Sequence, residues 1–317
     1  MDTNHAPEER HRAKSWSACV VRRSRRRTTR WFLATALAAT GCANHPPSPM
    51  TSSAAPHLVQ ATVPFAIRGG DGLVAINVRI AGRPCWLAIE PSVVPTYITS
   101  AAARRLNLRV LADPQWLRHG WAGSCAAQLS IGGLRIGGGP LPVAGLRPRP
   151  NGCDGAICWD LLSQIILSVD YQRQNVTMWG GERPLRSLLR YGGYRVRCSV
   201  PIGIRNYGGC AYPATVDGNP ASFLLTFGGT HMVVPRRALS GGPPRGVVRV
   251  RDVRVGSFDW VDAPAIRAGP GGKDPPAQVD APFWRSVPVL ILDGPARRLY
   301  LADEITSAPP SGRPKGS

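Results

Sequence analysis

The stretch SFLLTFGGTHMVV, residues 222–234, predicts a short apolar strand that runs into a Gly-Gly turn and then into a second apolar strand. Turns of this kind hold a side chain at the end of a strand, where binding and catalytic groups are often placed. Here the strand ends in Thr226 and Phe227, which supply no acid or base. The stretch therefore predicts the framework of a site without the usual chemistry.

The same stretch has a counterpart earlier in the chain. Residues 78–99, VRIAGRPCWLAIEPSVVPTYIT, align without a gap with residues 214–235, ATVDGNPASFLLTFGGTHMVVP, at a constant offset of 136. The alignment places Gly82 over Gly218, which predicts a hairpin turn in each copy. Pro84 likewise pairs with Pro220, and the apolar residues 87–89 pair with 223–225. The recurrence of these residues at one offset predicts a duplicated unit.

A second pair of segments extends the repeat. Residues 161–179 match residues 284–302 as a short helix, a buried strand, a turn led by aspartate and a final strand. Asp170 and Asp293 lead these turns and are predicted to close them through side-chain hydrogen bonds. Two copies of this size predict two similar β lobes, residues 58–185 and 190–304, facing across a cleft.

The composition supports an all-β protein. Glycine (35) and proline (31) are abundant, which is typical of many short strands joined by turns. The 39 Lys and Arg residues exceed the 19 Asp and Glu residues, yet they form no stripe with aromatic residues, so nucleic-acid binding is not predicted. A cationic surface facing anionic envelope polymers accounts for the charge more simply.

The N-terminus predicts export. Basic residues 22–30, RRSRRRTTR, precede the ten apolar residues 31–40, which are too few to span a bilayer. The following AATGC, ending at Cys42, resembles a bacterial lipobox, although Ala39 stands where Leu or Val is usual. A lipoprotein signal peptide over 1–41 and lipid attachment at Cys42 are therefore predicted, with an ordinary secretory signal as the alternative.

The predicted location is the bacterial cell envelope, with the protein lipid-anchored at the periplasm-facing membrane surface. Residues 42–57 are a Pro/Ser/Ala-rich linker, and residues 305–317 are predicted to be a disordered tail. No metal or cofactor is predicted, because no CxxC motif occurs and the histidines are dispersed.

Besides Cys19 and Cys42 the chain has six cysteines, and this even number predicts three disulfides in an exported chain. Fifteen pairings are open, and the spacing favours a tight loop, a clipped hairpin and one remaining pair. These candidates are Cys153 with Cys158, Cys198 with Cys210, and Cys85 with Cys125.

The order of these segments resembles the retropepsin- and pepsin-like aspartic proteases in their bacterial bilobal form. In that family each lobe runs hairpin, apolar strand, Asp-Thr/Ser-Gly and apolar strand; residues 82–98 and 218–234 fill this position. Residues 154–179 and 278–302 fill the later position, a Gly-hydrophobic-Leu-Gly motif followed by a helix, a strand, a turn and a strand. Residues 155–158, GAIC, and residues 278–281, QVDA, align with the motif itself. Residues 119–138 stand where the flap strand and its return would lie.

The resemblance implies a catalytic centre whose residues have changed. In the family two aspartates share one proton, one activating water while the other polarises the scissile carbonyl. Glu90 and Thr226 occupy the matching positions here, so two carboxylates cannot share a proton. Pro91 and Phe227 replace the Thr/Ser whose hydroxyls join the lobes, and the glycine survives only in lobe 2, as Gly228.

Three hypotheses follow for function. The first is a catalytically inactive aspartic-protease-like protein that binds a peptide or an envelope component between its lobes. The second is an endopeptidase or other hydrolase that uses Glu90 with an unidentified second acid or with His231. Asp154 and Asp160, which flank the predicted Cys153–Cys158 loop, are candidates for the second acid. The third is a surface protein without a ligand.

Overall fold

Short apolar runs form strands throughout both lobes. In lobe 1 the strands are β1 (Val59–Arg68), β2 (Leu73–Ile80), β3 (Arg83–Glu90), β4 (Tyr97–Thr99), β5 (Trp121–Ala126), β6 (Leu129–Ile131), β7 (Leu134–Ile136), β8 (Pro140–Ala144), β9 (Gly155–Cys158), β10 (Ile166–Asp170) and β11 (Asn175–Gly180). In lobe 2 they are β12 (Tyr194–Pro201), β13 (Gly203–Ile204), β14 (Cys210–Val216), β15 (Asn219–Leu224), β16 (Met232–Val234), β17 (Gly246–Val255), β18 (Phe258–Arg267), β19 (Ala277–Gln278), β20 (Val289–Asp293) and β21 (Arg298–Glu304). The helices are short: α1 (Ser100–Arg105), α2 (Pro114–Arg118), α3 (Trp159–Leu162) and α4 (Ala281–Trp284).

The structure is a computed structural model that describes most of the two lobes. The described residues are 59–69, 72–136, 139–145, 152–180, 193–205, 209–228, 231–235, 238–239, 246–267, 277–279 and 281–304. The predicted signal peptide, Cys42, the linker and the C-terminal tail lie outside these ranges. Within them, no helix has the length and apolar character needed to cross a membrane.

The two copies of the repeat share their hairpin geometry. Ala81 and Gly82 have φ values of 49° and 78°, and Asp217 and Gly218 have φ values of 50° and 79°. Two successive positive φ angles are typical of the tight turn that joins strands in a two-residue hairpin. The predicted repeat is therefore confirmed at the level of single backbone angles.

The later segments of the repeat also match. The Asp170 carboxylate accepts a hydrogen bond from the Arg173 backbone N–H at 2.9 Å, and the Asp293 carboxylate accepts one from Ala296 at 2.9 Å. Both aspartates are buried at the ends of β10 and β20. Their predicted role as turn-closing residues is confirmed.

Sheet order places the two lobes side by side. Strands β12-β21-β20-β10-β11-β1 form a continuous run, in which β10 of lobe 1 pairs antiparallel with β20 of lobe 2. The sheet then continues through lobe 1 as β2-β3-β9-β4-β8-β5. In lobe 2 the order is β13-β14-β15-β19-β16-β18-β17, and a further β14–β17 pairing closes it into a barrel.

In each lobe, a strand from later in the chain lies between the two strands that flank the turn containing Glu90 or Thr226. In lobe 1, β9 runs parallel to β3 and antiparallel to β4. In lobe 2, β19 has the same relation to β15 and β16. The inserted strands fix the turns after β3 and β15, because each turn is held from inside its own lobe.

Two backbone hydrogen bonds join the turns across the lobes. The Cys210 N–H donates to the Pro91 carbonyl at 3.2 Å, and the Val74 N–H donates to the Phe227 carbonyl at 3.4 Å. Both donors and both acceptors are separated by the repeat offset of 136. The two bonds are therefore reciprocal. The turn after β3 accepts a hydrogen bond from β14 of lobe 2, and the turn after β15 accepts one from β2 of lobe 1.

Glycines allow this close approach. A Cβ atom at Gly209 would lie 2.3 Å from the Ser92 carbonyl oxygen, and one at Gly228 would lie 2.3 Å from a Leu73 methyl carbon. These two contacts are also related by the repeat. Gly209 is the more demanding position, because the atom it would strike belongs to backbone that cannot rotate away.

Gly209→Ala tests this junction. We expect a loss of about 1–3 kcal/mol in the free energy of unfolding, since the added methyl group must push the Ser92 backbone away. Urea denaturation followed by tryptophan fluorescence measures it. Gly203→Ala is the matched control, because its Cβ would meet nothing nearer than 3.8 Å. Equal stability of the two variants would contradict the close approach.

Candidate functional site

A pocket of about 400 Å³ lies where the two turns meet, and we call it the central pocket. Both lobes contribute to its walls. The lining residues are Leu73, Ile89, Glu90, Ser92, Thr226, Phe227, Gly228, His231, Val233, Ile266 and Gln278. The two positions that match the catalytic aspartates of the family thus lie in one pocket, as the sequence predicts.

Glu90 is the last residue of β3 and is half-buried in the wall of this pocket. Its backbone carbonyl accepts a hydrogen bond from the Val93 N–H at 3.2 Å, which closes the turn. Cys158 lies directly opposite Glu90 in the β3–β9 ladder. Burial, and then the charges of Glu90 and Asp160, raise the pKa of the Cys158 thiol well above its ordinary value. The thiol is therefore neutral and no nucleophile.

Thr226 follows β15, and its polar groups are bonded within lobe 2. The hydroxyl donates to the Val279 carbonyl at 2.9 Å, and the Thr226 carbonyl accepts from the Trp284 indole N–H at 2.7 Å. Trp284 is fully buried. The Thr226 side chain therefore stabilises the end of its strand and contributes no acid to the centre.

His231 is the other ionisable residue in the described lining. It is exposed at the pocket wall, whereas Glu90 is half-buried there. The pocket therefore brings together one carboxylate and one imidazole, and the described lining contains no second carboxylate. Within the described lining, Glu90 therefore has no second carboxyl group with which to share a proton.

Asp154 and Asp160 do not line the central pocket. The Asp154 carboxylate accepts from the Trp86 backbone N–H at 2.9 Å and forms an ion pair with Arg105 at 2.7 Å. Asp160 binds the backbone N–H and hydroxyl of Thr96. Both acids hold loops of lobe 1 in place, so neither is the second acid that the hydrolase hypothesis requires.

The register of β19 corrects the predicted alignment of the later motif. Ala156 pairs with Tyr97 in lobe 1, and Gln278 pairs with Val233 at the equivalent place in lobe 2. The segment that matches residues 155–158 is therefore 277–280 and not 278–281. Gln278 is therefore the counterpart of Ala156, and it lines the central pocket, which the predicted alignment missed.

Residues 119–136, the described part of the predicted flap segment, pair with other strands of lobe 1. They contribute β5, which pairs with β8, and the β6–β7 hairpin, whose first strand pairs with the end of β2. Gly132 at the hairpin tip approaches Ala61 of β1. None of the residues that line the central pocket comes from this segment.

The predicted disulfides do not form in this structure, where all six cysteines are free thiols. Cys158 is the last residue of the extended strand β9, and Cys153 precedes its first residue by two positions. The strand alone spans about 10 Å, whereas a disulfide needs Cα atoms within about 7 Å. Cys198 and Cys210 belong to strands of different sheets, and three strands separate those of Cys85 and Cys125.

Burial and hydrogen bonds account for the environments of three of these thiols. Burial raises the pKa of Cys153 to about 11, with the charges of Glu90 and Asp154 adding to the effect and that of Arg68 opposing it. The Cys125 and Cys198 thiols donate to backbone carbonyls.

No group of His, Cys, Asp and Glu side chains within the described part of the chain is arranged to hold a metal ion.

Comparison with known proteins identifies the fold. No protein-family model and no curated protein matches the chain. Among solved structures, the aspartic proteinase from Irpex lacteus matches with a TM-score of 0.50 and 12% sequence identity, covering 78% of this chain and 99% of its own. The chain therefore has the all-β, two-lobed aspartic-proteinase fold that the sequence predicts.

A second solved structure is similar over a comparable length. Conglutin gamma, a basic 7S globulin from lupine seeds, matches with a TM-score of 0.48 and 10% identity, covering 77% of this chain and 95% of its own. At these values the match supports no further conclusion.

Proposed function

We propose that this protein is a cell-envelope lipoprotein that binds a peptide or an envelope polymer in the central pocket without hydrolysing it. The observation that carries the proposal is the bonding of Thr226. Its hydroxyl is engaged with Val279, and it stands where the second carboxylic acid of an aspartic proteinase would be.

The composition of the central pocket supports binding. The half-buried Val233 and Ile266 offer apolar surface, and the amide of Gln278 offers a donor and an acceptor for a ligand backbone. A pocket with apolar walls and a few polar groups is typical of small-ligand and peptide sites. The reciprocal hydrogen bonds between the lobes hold the walls of the central pocket together, although Glu90 and Thr226 replace the two aspartates of the family.

A second candidate function is hydrolysis by Glu90 with His231. The observation in its favour is that both side chains line the central pocket. In such a reaction the Glu90 carboxylate takes a proton from water, and protonated His231 donates one to the leaving group. Both groups must then reach the same scissile bond, directly or through one water molecule.

One experiment separates the two functions. The full-length protein is incubated with a library of fluorescently labelled peptides between pH 4 and pH 8, and binding and cleavage are measured in parallel. We expect binding, measured by fluorescence anisotropy, without any cleavage products in mass spectra. Cleavage by the native protein that is lost in both Glu90→Gln and His231→Asn would overturn the proposal and establish the hydrolase.

Binding itself is tested with a matched pair of substitutions. Val233→Arg places a long charged side chain in the central pocket, so we expect affinity to fall by about tenfold or more. Val247→Arg is the control, because Val247 is 75% exposed on β17 and does not line the pocket. If no peptide binds, the same pair is applied to purified envelope polymer. Equal affinities of the two variants, or no binding of either probe, would refute a binding site here.

The proposed envelope location rests on the signal sequence and Cys42. Lipid attachment at the Cys42 thiol would hold both lobes at the membrane through the linker, with the cationic surface facing anionic polymers.

Cys42→Ser tests the anchor. Without the thiol no lipid can be attached, so we expect the variant in the soluble periplasmic fraction and the native protein in the membrane fraction after cell fractionation. Immunoblots with an inner-membrane and a periplasmic marker control the separation. Continued membrane partition of Cys42→Ser would contradict anchoring at this residue.

A further inference from the structure

A second pocket, of about 200 Å³, lies within lobe 1 and shares no lining residue with the central pocket; we call it the lobe-1 pocket. Its walls come from α2, α3 and the strands β6 to β8, together with the turn before β4. The lining residues are Pro95, Thr96, Trp116, Ala127, Leu129, Ile136, Gly139, Pro140, Leu141, Pro142, Asp160 and Leu161.

We propose that the lobe-1 pocket binds a small organic cation, namely an ammonium or guanidinium group on a compact apolar body. The described lining is apolar except for Thr96, Asp160 and the backbone, and Asp160 is its one ionisable group. A single carboxylate beside apolar walls favours a ligand that carries one positive charge and a hydrophobic part.

Hydrogen bonds fix Asp160 in the pocket wall. Its Oδ1 accepts from the Thr96 backbone N–H at 2.9 Å and from the Thr96 hydroxyl at 2.7 Å. Its backbone carbonyl accepts from the Ser163 hydroxyl and from the Gln164 side-chain amide, at 3.1 and 2.8 Å. The carboxylate is thus positioned before any ligand arrives, which lowers the entropic cost of binding.

The second carboxylate oxygen remains available. Within the described part of the chain, Oδ2 of Asp160 accepts no hydrogen bond, and no Lys or Arg forms an ion pair with it. The structural role of Asp160, which is to tie Thr96 to α3, uses Oδ1 alone. A cationic group in the pocket would therefore gain an acceptor without breaking the contact that holds the fold.

The pocket volume sets the size of the ligand. An apolar cavity of about 150 Å³ accepts benzene in another protein. The lobe-1 pocket, at about 200 Å³, matches one such ring with a short charged arm. Trp116 is half-buried and lines the pocket, and an indole ring attracts cations that lie over its face.

Benzylammonium is the probe for this site, with neutral benzyl alcohol and anionic benzoate as matched controls. Methyl groups of the full-length protein are labelled with ¹³C and followed by NMR during titration. Leu129, Ile136, Leu141 and Leu161 report on the lobe-1 pocket, and Ile89, Val233 and Ile266 report on the central pocket. We expect benzylammonium to shift the lobe-1 methyl groups with a dissociation constant of about 1 mM and benzoate to leave them unchanged.

Two variants locate the binding. In Asp160→Asn the amide oxygen still accepts from Thr96, but the charge is lost, so affinity should fall about tenfold. Ala127→Leu fills the pocket and leaves Asp160 intact, and it should abolish the lobe-1 shifts. Glu90→Gln, in the central pocket, should have no effect. Circular dichroism and thermal melting verify that each variant is folded.

The contrary outcomes are equally defined. The proposal is overturned if benzylammonium causes no lobe-1 shifts at about 10 mM, ten times the expected dissociation constant. It is also overturned if benzoate binds as tightly as benzylammonium or if Asp160→Asn leaves the affinity for benzylammonium unchanged. Loss of the lobe-1 methyl shifts in Glu90→Gln would overturn it as well. None of these results bears on peptide binding in the central pocket.

Discussion

The reciprocal hydrogen bonds between the lobes are the constraint on which the rest of the site depends. In aspartic proteases, side-chain hydroxyls of the catalytic triplets join the lobes, and this chain has Pro91 and Phe227 in their place. The carbonyl groups of these two residues accept hydrogen bonds from Cys210 and Val74 instead. Every residue type except proline has both a backbone donor and an acceptor, and proline keeps its acceptor, so a junction of this kind tolerates changes of side chain.

This junction explains why both turns still line one pocket, although Glu90 and Thr226 stand where aspartic proteases have their two catalytic aspartates. Gly209 and Gly228 allow the turns to approach within van der Waals distance of the opposite lobe, and β9 and β19 support the turns from behind. Thr226 can therefore use its hydroxyl to stabilise lobe 2, while Glu90 lines the pocket as its one described carboxylate. The backbone hydrogen bonds between the lobes use no side chain of Glu90 or Thr226, and this supports the proposed binding role.

The sequence predicts the repeated parts of the fold well, because equal offsets impose equal turns. Both hairpins and both aspartate-led turns occur where the repeat places them. The prediction fails where the copies differ in length, so the alignment of the segment before α4 is wrong by one residue and Gln278 is missed. The disulfides fail for a different reason: an even number of cysteines carries no information about distance. The lobe-1 pocket is also invisible in the sequence, because Trp116 and Asp160 meet only through tertiary packing.

Amide hydrogen exchange at Val74 and Cys210 tests the central claim most directly. If the two backbone hydrogen bonds are reciprocal and hold the lobes together, both amides should exchange slowly and with similar protection, close to that of the buried strands β10 and β20. Rapid exchange of either amide, at the rate of an exposed loop, would contradict the account, because one turn would then not be bonded to the opposite lobe.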